Sequence, residues 1–191
     1  MRQLLDIALA ILVATVIGFS SAWLAVEHGR MFGAVTIGPW TAWPDAGGRD
    51  SDPYSVAFLA RSGEVPLGAG EGLAFTAVTD NEGESLSGNC VYSIDGQTPA
   101  ARLWTLTVYD AEGRLMVNPA HRSGFHSREI VRRPDGSFSI IASADVTPGN
   151  WLPTARLEDL QFVLRLYDTP LTTATDFSNI DMPRIDRVRC Q

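Results

Sequence analysis

Soft metal ligands are scarce in this chain: three histidines and two cysteines occur among 191 residues. Two cysteines exclude a disulfide-dense scaffold. His121 and His126 stand five positions apart with no further His or Cys cluster near them, so the pattern makes no zinc site, and neither a metal nor a cofactor is expected. Cations are also short, with 15 Lys and Arg against 22 Asp and Glu, a formal net charge of −7 and a pI of about 4.9. Phosphate backbones need a basic surface, so nucleic acid is excluded as a partner. The arginines that do cluster are Arg122, Arg128, Arg132 and Arg133, and Arg184, Arg187 and Arg189; each group reads as a solvated edge or a local anion site. No Gly-x-Ser-x-Gly elbow is present, and no long repeat is found.

Long hydrophobic runs are absent, with one exception. Leu4–Val26 reads LLDIALAILVATVIGFSSAWLAV, and its only charge is Asp6, near the start. At 1.5 Å per residue these residues span about 34 Å, enough for a hydrocarbon core of about 30 Å. Thr15, Ser20 and Ser21 are tolerated because a helix returns hydroxyl bonds to its own carbonyls. Trp23 suits the far interface. The rival is a cleaved signal peptide, with Arg2 as a thin basic region and Ser20-Ser21-Ala22 as a small-residue cleavage site. The run outlasts a typical signal core and continues past that site through Trp23-Leu24, which favours an anchor. Orientation leans on Arg2 and the amino group before the run, because Glu27, His28 and Arg30 after it nearly cancel. The expectation is a single-pass inner (cytoplasmic) membrane protein whose C-terminal domain stands in the periplasm.

The sequence divides into an anchor or signal peptide over 1–28, a connector over 29–52 and a folded extracytoplasmic domain over 53–191. Hydrophobic residues make up 45% of the chain and charged residues 19%, ordinary values for a folded protein. The connector is rich in Gly, Pro and Trp, and Trp40 and Trp43 suit either a membrane interface or a short segment packed on the domain. Asp52-Pro53 is a helix start, with Asp as cap and Pro at the first position. Tyr54, Ala57, Phe58 and Arg61 follow at helical spacing, and Gly63 ends the run. Six strand-like runs come next: Leu73–Thr79, Cys90–Ile94, Leu103–Tyr109, Arg114–Val117, Ser137–Ser143 and Gln161–Tyr167. Turn sequences such as Asp95-Gly96 and Pro134-Asp135-Gly136 separate several of them. The fold class that follows is mainly β: an antiparallel sandwich of jelly-roll type with one short amphipathic helix.

Several blocks occur in order: LTVYDAEGRLMVNPAHRSGFHSREIVRRPDGSFSI, PGNWLP and LRLYDTPL, preceded by Asp52-Pro53-Tyr54, Ala60-Arg61 and Gly63-Glu64. Together they closely resemble the bacterial domain-of-unknown-function 1214 family over nearly all of residues 36–190. The resemblance implies a jelly-roll-like β fold. It also implies a companion, because this family is often fused to, or encoded beside, the domain-of-unknown-function 1254 family. The expectation here is a stand-alone form of the family, with a membrane anchor in place of that companion domain. No reaction comes with the resemblance.

Candidate chemistry concentrates between Asn118 and Glu129, which offers two imidazoles, two guanidiniums, two hydroxyls and a carboxylate. In a strand, His126 and Arg128 would share a face. Arginines grip carboxylates or phosphates in bidentate fashion, and imidazoles serve as bases near neutral pH. The plainer reading is a polar loop whose side chains cap nearby backbone. Asn150-Trp151, between Gly149 and Pro153, makes a rigid corner suited to a sugar face or to an aromatic plug. Arg165 lies mid-strand among apolar residues, facing either a ligand or a structural acid such as Asp110, Glu129 or Asp168. The candidate ligand site is therefore Arg128, Arg165, His126, Trp151 and Asn150. Cys90 opens a strand and Cys190 ends a tail that would otherwise fray, so the two cysteines are expected to form a disulfide. Two functions stay open: an envelope module that binds a ligand or protein, and an enzyme or enzyme subunit acting on a carbohydrate or acidic small molecule.

Overall fold

The computed structural model describes residues 2–27, 33–48, 51–68, 70–156, 159–174 and 176–190. His28 and Arg30, part of the charge argument for orientation, lie outside the described residues, as do positions 29–32, 49 and 50 of the expected connector. Helix α1 covers Arg2–Glu27, none of it buried. It is the one helix among the described residues long and apolar enough to cross a membrane. Two of its hydroxyls turn inward on the helix, Thr15 donating to the Ile11 carbonyl at 2.7 Å and Ser21 to that of Gly18 at 3.0 Å.

Ten strands follow among the described residues: β1 (Val35–Ile37), β2 (Trp40–Ala42), β3 (Gly72–Ala77), β4 (Cys90–Gly96), β5 (Leu103–Asp110), β6 (Gly124–His126), β7 (Phe138–Ser143), β8 (Asn150–Pro153), β9 (Leu160–Tyr167) and β10 (Arg184–Cys190). Helix α2 (Pro53–Ser62) stands between β2 and β3. A six-stranded sheet runs β1-β2-β3-β9-β5-β6 with every pair antiparallel. A four-stranded sheet runs β10-β4-β7-β8, with only β7 and β8 parallel.

Period-two patterning drives both sheets. In β9, Leu160, Phe162, Leu164 and Leu166 point inward and are almost wholly buried. In β5, Trp104, Leu106 and Val108 do the same. The inner faces meet in one core, where Tyr92 of β4 stands edge-on to Phe162 of β9 with ring centres 6.2 Å apart. Trp104 of β5 meets Phe138 of β7 at 5.1 Å. The result is the mainly β, two-sheet architecture expected, and it is compatible with the jelly-roll-like reading. Burying some two dozen apolar side chains is the main force holding such a sandwich together, at about 1.5–3 kcal/mol for each large one.

Helix α2 starts and stops where the sequence places it. Asp52 accepts from the Tyr54 and Ser55 amides, and Gly63 closes the end with φ 70°, a left-handed conformation that favours glycine. Three expectations are corrected. The segment read as a connector contributes β1 and β2 to the larger sheet; of the two readings left open for its tryptophans, packing on the domain holds for Trp40, which is fully buried with its indole N–H donating to the Pro183 carbonyl at 2.7 Å. Arg114–Val117 is not a strand; only Leu115 bridges back to Tyr109, because Asp110 accepts from the Arg114 amide and folds the chain into a tight turn. The tail after Pro183 is a full strand, β10, paired along β4.

Cys90 and Cys190 lie opposite each other in the β4–β10 register and form a disulfide across a sequence separation of 100. A structural disulfide belongs to an oxidising compartment.

Candidate functional site on the larger sheet

The outer face of the six-stranded sheet is set by what β5 and β9 turn away from the core. Direct partners in an antiparallel pair point to the same side. One row therefore crosses the whole sheet: Thr36 (β1), Thr41 (β2), Thr76 (β3), Val163 (β9), Thr107 (β5) and Gly124 (β6). Four of these six residues are threonines, and the first two approach hydroxyl to hydroxyl at 3.4 Å. Gly124 ends the row because a Cβ there would lie 2.5 Å from the Leu106 carbonyl oxygen. The neighbouring row is Ala74 (β3), Arg165 (β9), Thr105 (β5) and His126 (β6).

Arg165 and His126 are thus brought onto one face, one strand apart. Arg165 is half-buried and leans along its strand. Its Nη1 donates to the Tyr109 hydroxyl at 3.0 Å, with the guanidinium 5.4 Å from the Tyr109 ring centre. The acids expected as its partners are engaged elsewhere: Asp110 with Arg114 at 2.8 Å, Glu129 with His126 at 3.4 Å, and Asp168 with Arg102 at 3.3 Å. A guanidinium on an open face keeps water as a partner, so no buried counter-ion is required. His126 is exposed at the edge. Its backbone N–H donates to the Glu129 carboxylate at 2.9 Å, and its ring Nδ1 accepts from the Arg128 amide at 3.3 Å. Arg128 is exposed on the turn that follows β6.

Asn150 and Trp151 sit elsewhere, on β8 at the edge of the smaller sheet. Asn150 is buried and its amide is spent: Oδ1 accepts from the Val131 amide at 2.9 Å, while Nδ2 donates to the Val131 and Ser139 carbonyls at 2.8 and 2.9 Å. Trp151 alternates outward from β8, away from the core and on the opposite outer face from Arg165. Its indole N–H donates to the Ser143 carbonyl at 3.0 Å. The two side chains clamp the short return from β7 to the parallel β8. The five sequence-derived residues thus divide between the two sheets and line no common cavity.

The structure adds three positions that sequence reasoning passed over: Tyr109, which orients Arg165, and Thr105 and Thr107, which surround it. Their signal was the period-two alternation of β5, which names the outward residues but not their neighbours. The polar block itself forms an open groove of about 240 Å³ lined by Leu115, Met116, Val117, Asn118, His121 and Ser123. Asn118 holds that loop closed, donating to the Arg122 carbonyl at 2.8 Å and accepting from its amide at 3.2 Å. His121 turns there with φ 51°. Among the described residues no three His, Cys, Asp or Glu side chains gather to hold a metal ion. Beside this face, Asp110 is held below the usual carboxylate range, chiefly by the backbone N–H of Arg114 and also by that residue's guanidinium.

The fold resembles that of the VPA0106 protein from Vibrio parahaemolyticus, with TM-score 0.59 and 23% identity over 73% of this chain and 36% of that one. An uncharacterised protein from Burkholderia cenocepacia aligns over 63% of this chain and 30% of its own, with TM-score 0.43 and 19% identity. This chain spans about a third of the length of each. No curated protein matches it. Residues 71–171, just over half of the chain, match the family model described as "Protein of unknown function (DUF1214)", and the chain belongs to that family.

Proposed function

We propose that this protein is an envelope module that works by binding, held in the inner membrane by α1 with its sandwich in the periplasm, and that the outer face of the larger sheet is where a partner protein docks. The observation that carries the docking reading is the threonine row with Arg165 and His126 beside it, on the side of the larger sheet turned away from the core. Threonine presents a methyl and a hydroxyl on a stiff side chain, so a partner gains contact at little entropic cost. Arg165, oriented by Tyr109, supplies a directed donor for a carboxylate on the incoming surface. The family resemblance suggests the occupant: a companion of the domain-of-unknown-function 1254 type. The anchoring reading is supported by a 26-residue apolar helix with no buried residue, and the compartment by the disulfide.

Site-specific photo-crosslinking in intact cells tests the docking. A crosslinker at Thr107 is expected to give one adduct of defined mass, and one at Ile141, on the opposite outer face, none. Arg165→Ala should weaken the Thr107 adduct at least fivefold while the fold persists. Equal adducts from both faces, or none from Thr107 in cells that co-express the companion, would overturn the proposal.

A further inference from the structure

Helix α2 is ten residues long, yet only Ser55 of it is buried. Its one substantial neighbour among the helices and strands is α1. The contact is specific. The Arg61 guanidinium stands over the Trp23 ring, 4.4 Å from its centre, and its Nη2 reaches the Glu27 carboxylate at 2.6 Å. Trp23 and Glu27 are four residues apart, so they share one face of α1. A single arginine therefore clamps α2 against the C-terminal end of the apolar helix.

That position carries a consequence. Nineteen residues separate Leu4 from Trp23, a rise of about 29 Å, close to the hydrocarbon thickness of a bilayer. With α1 across a membrane, Trp23 stands at the boundary of the hydrocarbon, and whatever touches Trp23 and Glu27 lies at headgroup level. Helix α2 and the segment after it bring apolar side chains to that level: Val56 is 52% exposed and Val65 90% exposed. In water such residues gain nothing; at the interface they cover lipid. Arg61 is already neutralised by Glu27, so the contact is apolar and does not depend on anionic headgroups.

We infer that α2 and Val65 form a second, peripheral membrane contact that lies flat on the bilayer beside the emerging end of α1 and fixes the height of the sandwich above the lipid. The inference rests on the membrane-anchor reading of α1. Tethering makes it effective despite its small area, because α1 holds the local lipid concentration high.

The test uses the full chain with its disulfide intact, in vesicles of phosphatidylcholine and phosphatidylglycerol. Single cysteines introduced as Ile11→Cys, Val56→Cys, Val65→Cys and Val146→Cys carry an environment-sensitive fluorophore. Lipids bearing a nitroxide at the headgroup or deep in the acyl chain serve as quenchers. Ile11 lies within α1, and Val146 is 77% exposed on the β7–β8 loop. The expected result is deep quenching at position 11 and headgroup-level quenching at positions 56 and 65 at least threefold above that at 146. Quenching at 56 and 65 no greater than at 146, with position 11 still quenched by lipid, overturns the inference and leaves the anchor standing. A water-exposed label at position 11 overturns the anchor and the inference together.

Discussion

Arg187 of β10 holds its guanidinium 2.9 Å from the carboxylate of Asp80, a side chain only 1% exposed. The pair meets as an ion pair without the alignment of a hydrogen bond. The other carboxylate oxygen of Asp80 accepts from the Glu82 and Glu84 amides, each at 3.0 Å, and so shapes the turn after β3. Arg187 also donates to the Ser85 carbonyl at 3.0 Å and rests 5.8 Å from the Tyr92 ring centre. One arginine thus ties the last strand to the turn that precedes β4.

Removing it strands a buried charge. Arg187→Ala is expected to cost about 3 kcal/mol, the lower end for breaking a buried pair because the guanidinium is partly wet. For a domain of this size the thermal midpoint should fall by about 6–12 °C. Asp80→Asn in the same chain should recover at least half of the loss, since the amide oxygen still accepts the two turn N–H groups. A double variant no more stable than Arg187→Ala alone would mean that the arginine acts through packing and not charge.

The Cys90–Cys190 bond closes a loop of about 100 residues, for which the chain-entropy model gives about 4–5 kcal/mol as an upper bound. Unfolding with and without a phosphine reductant measures it, and the midpoint should drop clearly on reduction. Protein isolated from cells without reductant should present no free thiol to a maleimide.

Asn150→Ala removes a buried side-chain amide that satisfies three half-buried backbone groups, the Val131 N–H and C=O and the Ser139 C=O. The expected loss is about 2–3 kcal/mol, set by backbone N–H and C=O groups left without partners. Trp151→Phe, which loses the bond to the Ser143 carbonyl and part of the ring area on a half-buried side chain, should cost about 1 kcal/mol. Chemical denaturation of both variants ranks them, and the reverse order would show that the indole and not the amide holds the return between β7 and β8.

Acid should weaken the fold from one direction only. Asp52, Asp110, Asp135 and Asp176 all sit below the ordinary carboxylate range, through hydrogen bonds from Ser55, Arg114, Ser137 and Ser178 respectively. A group depressed in the folded state binds its proton more readily when unfolded, so its contribution is complete above the unfolded pKa of about 4 and drains as pH falls through the folded value. The urea midpoint is therefore expected to stay level above about pH 5 and to fall below about pH 4. Asp110→Asn should flatten that fall.

Local rules made parts of this fold legible and left others hidden. Helix α2 was readable because Asp52, Pro53 and Gly63 act on their own neighbours. Strands β5 and β9 were readable because eight alternating residues carry a clear period. The three-residue strands β1 and β2 are too short for a period, and their Gly-Pro turn and tryptophans read as a connector. Strand β10 buries only Ile185 among its arginines, so its place comes from pairing with β4, a long-range fact that composition does not carry. The site shows the same division. His126 and Arg165 were singled out as residue types, but their meeting depends on Thr105 of β5 lying between them, and register is set by the assembled sheet. Trp151 and Asn150 looked similar to them in chemistry and belong to the other sheet.

The strand order bears on how copies of this protein behave when crowded together. A sheet edge is a template for another copy's backbone unless it is short, charged or interrupted. Here β1 and β6 offer three residues each, β8 offers four and ends at Pro153, and the longer β10 carries Arg184, Arg187 and Arg189. All four borders of the sandwich therefore resist strand-by-strand polymerisation, even at high local concentration.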